Sequence, residues 1–223
     1  MREIDRFLEY LQAGPREREG VFNPWRDHDE RDARPRRDMP RLRRENMAAY
    51  LAHRATSARV LLLGEAPSHR GCRFSGIAFC SETEIAHKRE LVAPVALALT
   101  SADAATRPQR ERSAFVIWEE LAHAGVAHQV VLWNAFPWHP HGVEGVATNR
   151  KPRTREVMDG REALERLLAC FSHDLSIFAV GKVAEAALLS WPGHDSAGCL
   201  RHPAQGGEAK FREGFRSLVA ARL

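Results

Sequence analysis

Long apolar runs are missing from this chain. Nothing in its 223 residues approaches the ~18 consecutive apolar positions of a membrane span. The opening stretch Met1–Tyr10 carries a charge every few positions, unlike the apolar centre of a signal peptide. These absences argue against membrane insertion and export, and the expected location is the cytoplasm. Cysteine is scarce: Cys72, Cys80, Cys170 and Cys199 are the only four, with no CxxC pair. No disulfide framework follows from that spacing, and the thiols read as reduced and mostly structural. Lysine is rare as well, with 4 Lys against 29 Arg and a net charge of only +4. Either guanidinium is favoured for two-pronged phosphate contact, or the excess of Arg reflects codon usage alone. Internal repeats and low-complexity tracts are absent.

What is present suffices for one domain with a proper core, since 44% of residues are apolar and 28% charged. Residues 1–46 stand apart, with 12 Arg against 11 Asp or Glu and four Pro. Ile4, Phe7, Leu8 and Leu11 share one helical face. Between Gly14 and Arg44 the Pro residues block long helices. The charges there nearly cancel, so this arm is expected to be a solvated strap on the body, residues 47–223, and not a tail that holds DNA.

From Leu42 onward, helical patterns alternate with short apolar runs. RLRRENMAAYLAHRA reads as a helix and RVLLL, 59–63, as a buried strand. SETEIAHKRELVAPVALAL follows as a helix with Ser81 at its cap and Pro94 as a kink, then VIWEELAHAG as another. QVVLW, 129–133, is the second strand, and TREVMDGREALERLLACF a helix capped at Thr154. LSIFAV, 175–180, is the third strand, KVAEAALLS a helix, SAGCL, 196–200, a weak fourth strand, and EAKFREGFRSLVAARL the closing helix. The alternation predicts an α/β fold, a three-layer α/β/α sandwich around a mainly parallel four-stranded sheet. Ligands of such sheets bind beyond the carboxyl ends of the strands. Each strand here runs into an unusual polar loop: GEAPSHRGCRFSGIAFCSE (64–82), NAFPWHPHG (134–142), GKVAEA (181–186) and RHPAQGG (201–207). Four such loops on one rim predict a binding site.

The loops also resemble, in order, the motifs of the uracil-DNA glycosylase superfamily: GEAP after a buried strand, Ala78-Phe79 further on, Asn134 ending the second strand and HPA after the last. The resemblance runs from about Val60 to Phe215. NRKPRT, 149–154, and GKVAEAAL, 181–188, are similar to segments of the iron–sulfur, family 4-like members. It implies a monofunctional glycosylase acting on uracil-containing DNA as a monomer, hydrolysing the N-glycosidic bond of deoxyuridine and leaving an abasic site for base excision repair. Glu65 then orients or deprotonates the attacking water. Phe79 stacks on the extruded base. Asn134 reads its Watson–Crick edge, accepting from N3–H and donating to O4. His202 donates to O2 as the uracil anion departs. Ala66 is grouped with the uracil-binding residues, although family 1 enzymes carry their catalytic Asp there. Contacts to DNA fall to Ser68, Arg150, Lys151, Arg153, Arg201 and Gln205.

The departures carry their own expectations. Ser68 replaces the bulky Tyr that excludes thymine in family 1, so rejection of thymine must come from elsewhere. The N-terminal cluster cysteines are missing and Trp138 stands where another is usual, so no cluster or other cofactor is expected. HPAQGG lacks the Leu wedge, leaving Gln205 or Arg201 to fill the gap in the duplex. No motif lysine offers a Schiff-base route to strand cleavage. His123, His128, His139 and His141 fit no compact metal-ligand spacing. Two rival readings remain: excision of hypoxanthine, xanthine or mismatched thymine, and non-catalytic capture of uracil-DNA. The capturing branch of the superfamily uses a His on an inserted basic loop, and no such loop lies between Gly71 and Glu82.

Overall fold

Four parallel strands form the centre of the molecule. The computed structural model describes residues 2–15, 18–33, 38–219 and 222–223. Expectations for 16–17, 34–37 (with Pro35) and 220–221, in the strap and the closing helix, lie outside the described residues. In chain order the elements are α1 (Arg2–Ala13), β1 (Val21–Phe22), α2 (Met39–Arg54), β2 (Val60–Gly64), α3 (Cys72–Ser75), α4 (Glu82–His87), α5 (Arg89–Val92), α6 (Arg112–Ala124), β3 (Val130–Asn134), β4 (His139–Pro140), α7 (Thr154–Leu168), β5 (Ser176–Val180), α8 (Lys182–Ser190), β6 (Gly198–Leu200) and α9 (Glu208–Gly214). A wider π-type turn, Phe215–Val219, continues α9. The main sheet has the order β3-β2-β5-β6, all parallel, while β1 and β4 pair antiparallel beside it. Helices flank the sheet, as the alternating pattern predicts.

β2 and β3 are buried at every residue because helices cover both faces. β3 is nevertheless an edge strand, and an edge leaves backbone groups without partners. Side chains of α2 satisfy them. The Leu132 N–H donates to the Tyr50 hydroxyl (2.8 Å), and the Arg54 Nε–H donates to the Val130 carbonyl (2.9 Å). Arg54 spends its remaining donors on the carbonyls of Tyr50, Leu91, Val92 and Ala127. This buried cation is held by carbonyl dipoles and by the face of the Tyr50 ring, 3.9 Å away.

Three local expectations shift, the first being the cap of α7, which is Arg153 in extended backbone with Thr154 as the first helical residue. The helix expected from Arg41 starts at Met39, where Asp38 caps the Arg41 N–H (3.0 Å) and Pro40 occupies the first turn. The 46/47 boundary therefore falls inside α2. The long helix expected after Ser81 is two short ones that stop at Val92. Ala93 is extended (φ −163°, ψ 139°), the conformation that the following Pro94 imposes. Ile4, Phe7, Leu8 and Leu11 of α1 are buried together. In the strap, Trp25 is fully buried, stacks on Trp133 and donates to the Gly76 carbonyl (3.1 Å). The Asn23 amide binds the carbonyls of Leu11, Gln12 and Gly14 and so closes the end of α1. Among the described residues, no helix is long and apolar enough to cross a membrane.

Candidate active site

The chain leaves β2 for β3 on one side and later returns past it to β5 on the other, so the loops after β2 and β5 diverge. That divergence opens a crevice at the carboxyl ends. A cleft of about 780 Å³ lies there, with Glu65, Phe79, Glu111, Gly181, Lys182 and His202 among its lining residues.

Strand register brings Asn134 beside Phe79, which lines the cleft, although Gly64 and Asn134 are not themselves lining residues. Gly64 and Asn134 end their strands side by side as direct partners. The Phe79 ring packs on Gly64 so closely that a Cβ there would sit 2.1 Å from its Cζ and 2.9 Å from Asn134 Oδ1. Ring and amide therefore meet at one glycine. Phe79 itself adopts a left-handed backbone (φ 48°), rare for a bulky residue, and its carbonyl accepts from the Trp118 indole N–H at 2.8 Å. Asn134 is only 2% exposed. Ala66 lines the cleft and packs against the core with a side chain that has no polar group.

His202 approaches from the loop after β6, its ring centroid 6.1 Å from that of Phe79. The left-handed Gly181 (φ 91°) makes room, since a Cβ there would lie 3.2 Å from His202 Cβ. The Ala204 N–H donates to His202 Nδ1 at 3.2 Å, which leaves the ring proton on Nε2. Burial, and next the positive Arg201, push the imidazole below its ordinary pKa. The ring is therefore a neutral donor near pH 7. Glu65 begins the loop after β2. Burial lifts its carboxyl above the usual range, and Lys151 partly opposes that.

The expected DNA-contacting residues divide. Lys151, Arg153, Arg201 and Gln205 are exposed. Arg150 lines the rim, but its guanidinium is committed elsewhere: Glu156 at 2.7 Å through both terminal nitrogens, and the carbonyls of His141 (3.1 Å), Gly20 (3.0 Å) and Lys151 (3.2 Å). All five donors are used, so the phosphate contact expected of Arg150 is replaced by a structural one. The Ser68 hydroxyl is likewise buried, beside Glu111, and is not presented to a ligand. Lys151→Ala should flatten the dependence of log K on log salt by about 0.9 for one lost phosphate contact. Arg150→Ala should lower thermal stability and leave that slope in place. Equal slope changes would return Arg150 to the DNA surface.

His69, Arg70, Arg110, Glu111 and Lys182 also line the cleft and escaped the sequence reading. His69 and Arg70 belong to the loop 64–82 and Lys182 to the loop 181–186, whereas Arg110 and Glu111 lie outside all four polar loops. His69 is latched to Asn149, whose Oδ1 accepts from the His69 N–H at 2.8 Å. Glu111 is enclosed enough for burial to push its carboxyl up to about 7. His139 is buried between the Pro67 and Val146 carbonyls (2.9 and 3.0 Å). Among the described residues, no three His, Cys, Asp or Glu side chains converge as a metal site would require.

A parallel sheet with its cleft at the switch point places this protein among the α/β proteins that bind ligands over the strand ends. The chain belongs to the uracil DNA glycosylase superfamily, whose family model matches residues 52–219, and it is a DNA glycosylase. No curated protein matches it. Among solved structures it is similar to wild-type SMUG2 of Pedobacter heparinus, with a TM-score of 0.62 and 15% identity over 97% of each chain. That likeness is one of fold.

Proposed function

We propose that this glycosylase hydrolyses the N-glycosidic bond of deoxyuridine in DNA. The observation that carries the reading is the meeting of the Phe79 ring and the Asn134 amide at Gly64. A ring face accepts any flat base, so discrimination rests on the amide. Oriented with its oxygen toward N3–H and its nitrogen toward O4, Asn134 fits uracil, whereas cytosine presents the reverse pattern. The base reaches that depth only when swung out of the stack. His202 Nε2–H donates to O2, where negative charge collects as the C1′–N1 bond breaks. Glu65 faces the sugar, steadies its growing positive charge and takes the proton of the water that attacks C1′. The base leaves with the bonding electron pair, and an abasic site remains. The protein acts as a monomer in the cytoplasm on uracil-containing DNA, in base excision repair.

Incubating the protein with an oligonucleotide bearing a single uracil, followed by hot alkali, tests this. Cleavage at the uracil is expected. Intact strands at saturating protein, with cleavage at hypoxanthine or xanthine in parallel substrates, would overturn the uracil assignment.

A further inference from the structure

One carboxyl of the cleft has no part in that chemistry. Glu111 immediately precedes α6, and its carboxyl packs against the far end of the loop that begins at Glu65. A Cβ added to Gly71 would fall 1.7 Å from Glu111 Oε2 and 3.1 Å from Ser68 Oγ. Only glycine allows so close an approach. The Ser68 hydroxyl beside it makes no hydrogen bond of good geometry, though its proximity offsets part of the burial effect on the acid.

No cation is among the groups that shift the Glu111 carboxyl, although Arg70, Arg110 and Arg112 line the same cleft. Glu84 of α4 is of like sign. The buried thiols of Cys72, in α3, and Cys80 are both pushed up, burial first and Glu111 contributing. Glu82, a neighbouring buried acid, is different: it accepts from the N–H groups of Thr100 (2.7 Å), Ser101 (2.8 Å) and Gln109 (3.1 Å) and from the Ser101 hydroxyl (2.5 Å). An ionised Glu111 would be a half-buried anion at the cleft wall with the Ser68 hydroxyl beside it, a costly state.

We propose that Glu111 is a positioning residue, whose protonated carboxyl braces Ser68 and Gly71 and so keeps the loop that carries Glu65 in place. It touches neither base nor sugar. The inference rests on the reading of Glu65 as the water-handling carboxylate. The sign of its pH dependence is fixed. Folding lifts this acid from 4.5 to about 7, so the contact stabilises fully below 4.5 and is lost as pH rises through about 7. Glutamine keeps the shape without the charge.

The test compares full-length wild type with Glu111→Gln between pH 6 and 9, by single-turnover excision of uracil and by amide hydrogen exchange of residues 65–71 corrected for the intrinsic pH effect. Wild-type excision should fall roughly tenfold per pH unit above about 7, with faster exchange in that loop. Glu111→Gln should show neither change while matching wild type at pH 6. Parallel pH profiles in the two proteins would overturn the proposal. So would a folded Glu111→Gln inactive at every pH, because the carboxyl would then be needed as such. If wild type excises no uracil at any pH, the reading of the site fails, and the exchange measurement alone decides whether Glu111 braces the loop.

Discussion

Single-turnover excision of uracil should slow by roughly two orders of magnitude or more in His202→Ala and, separately, in Glu65→Gln. The two act on opposite charges of one transition state. Bond breaking that runs ahead of water attack leaves negative charge on the base and positive charge on the sugar. A fixed donor aimed at such an anion is worth ~10²–10³ in rate, and His202 is prepared for that role: the Ala204 N–H occupies Nδ1 and leaves Nε2–H outward. A positioned acid or base adds ~10²–10⁴. Glu65 is the carboxylate at the mouth of β2, and the neighbouring Ala66 carries none. Both variants should still bind uracil-DNA, since Phe79 and Asn134 remain. Rates measured with enzyme in excess check this. Wild-type speed in Glu65→Gln would mean that backbone groups around Ala66 and Pro67 handle the water.

Asn134→Asp should abolish most uracil excision. A carboxylate still accepts from N3–H but cannot donate to O4, so two acceptors oppose each other where a hydrogen bond stood. The replacement also places a charge at a position that is 2% exposed, where ionisation is expensive. Loss of the amide donor leaves a buried carbonyl of the base unpaired, a cost of about 1–3 kcal/mol or up to ~10²-fold. Protonated, the acid presents an O–H and a C=O, and weak cytosine excision is the expected by-product. Rates on matched oligonucleotides carrying uracil or cytosine measure both effects. Unaltered uracil turnover in a folded Asn134→Asp protein would remove Asn134 from base reading.

Much of this site can be read from the chain because the signals are local. Asn134 is conspicuous as a polar residue ending VVLWN, and His202 as the head of a loop after a strand. Ser81 and Gly125 mark helix ends through their own chemistry: Ser81 forms a capping box with Glu84, and Gly125 (φ 69°) closes α6. Where the reading slipped, a competing term won. Pro94 ended a pattern whose apolar spacing promised a longer helix. The strap, nearly neutral in charge, has Trp25 fully buried in the core, and its charges Asp29 and Asp32 are buried too, paired with Arg73 and Arg43.

The sequence by itself determined the alternation of strands and helices, the parallel sheet, the loops gathered at its carboxyl edge and the residues that end those strands. Each follows from periodicity or chain order over a few neighbouring residues. Only the tertiary structure decided what those residues face. It spends every donor of Arg150 on Glu156 and three carbonyls, buries the Ser68 hydroxyl, brings the Phe79 ring onto Gly64 and encloses Glu111 against Gly71. Burial and partnership arise between segments far apart in the chain. The same Arg binds phosphate when its donors are free and holds a fold together when they are not.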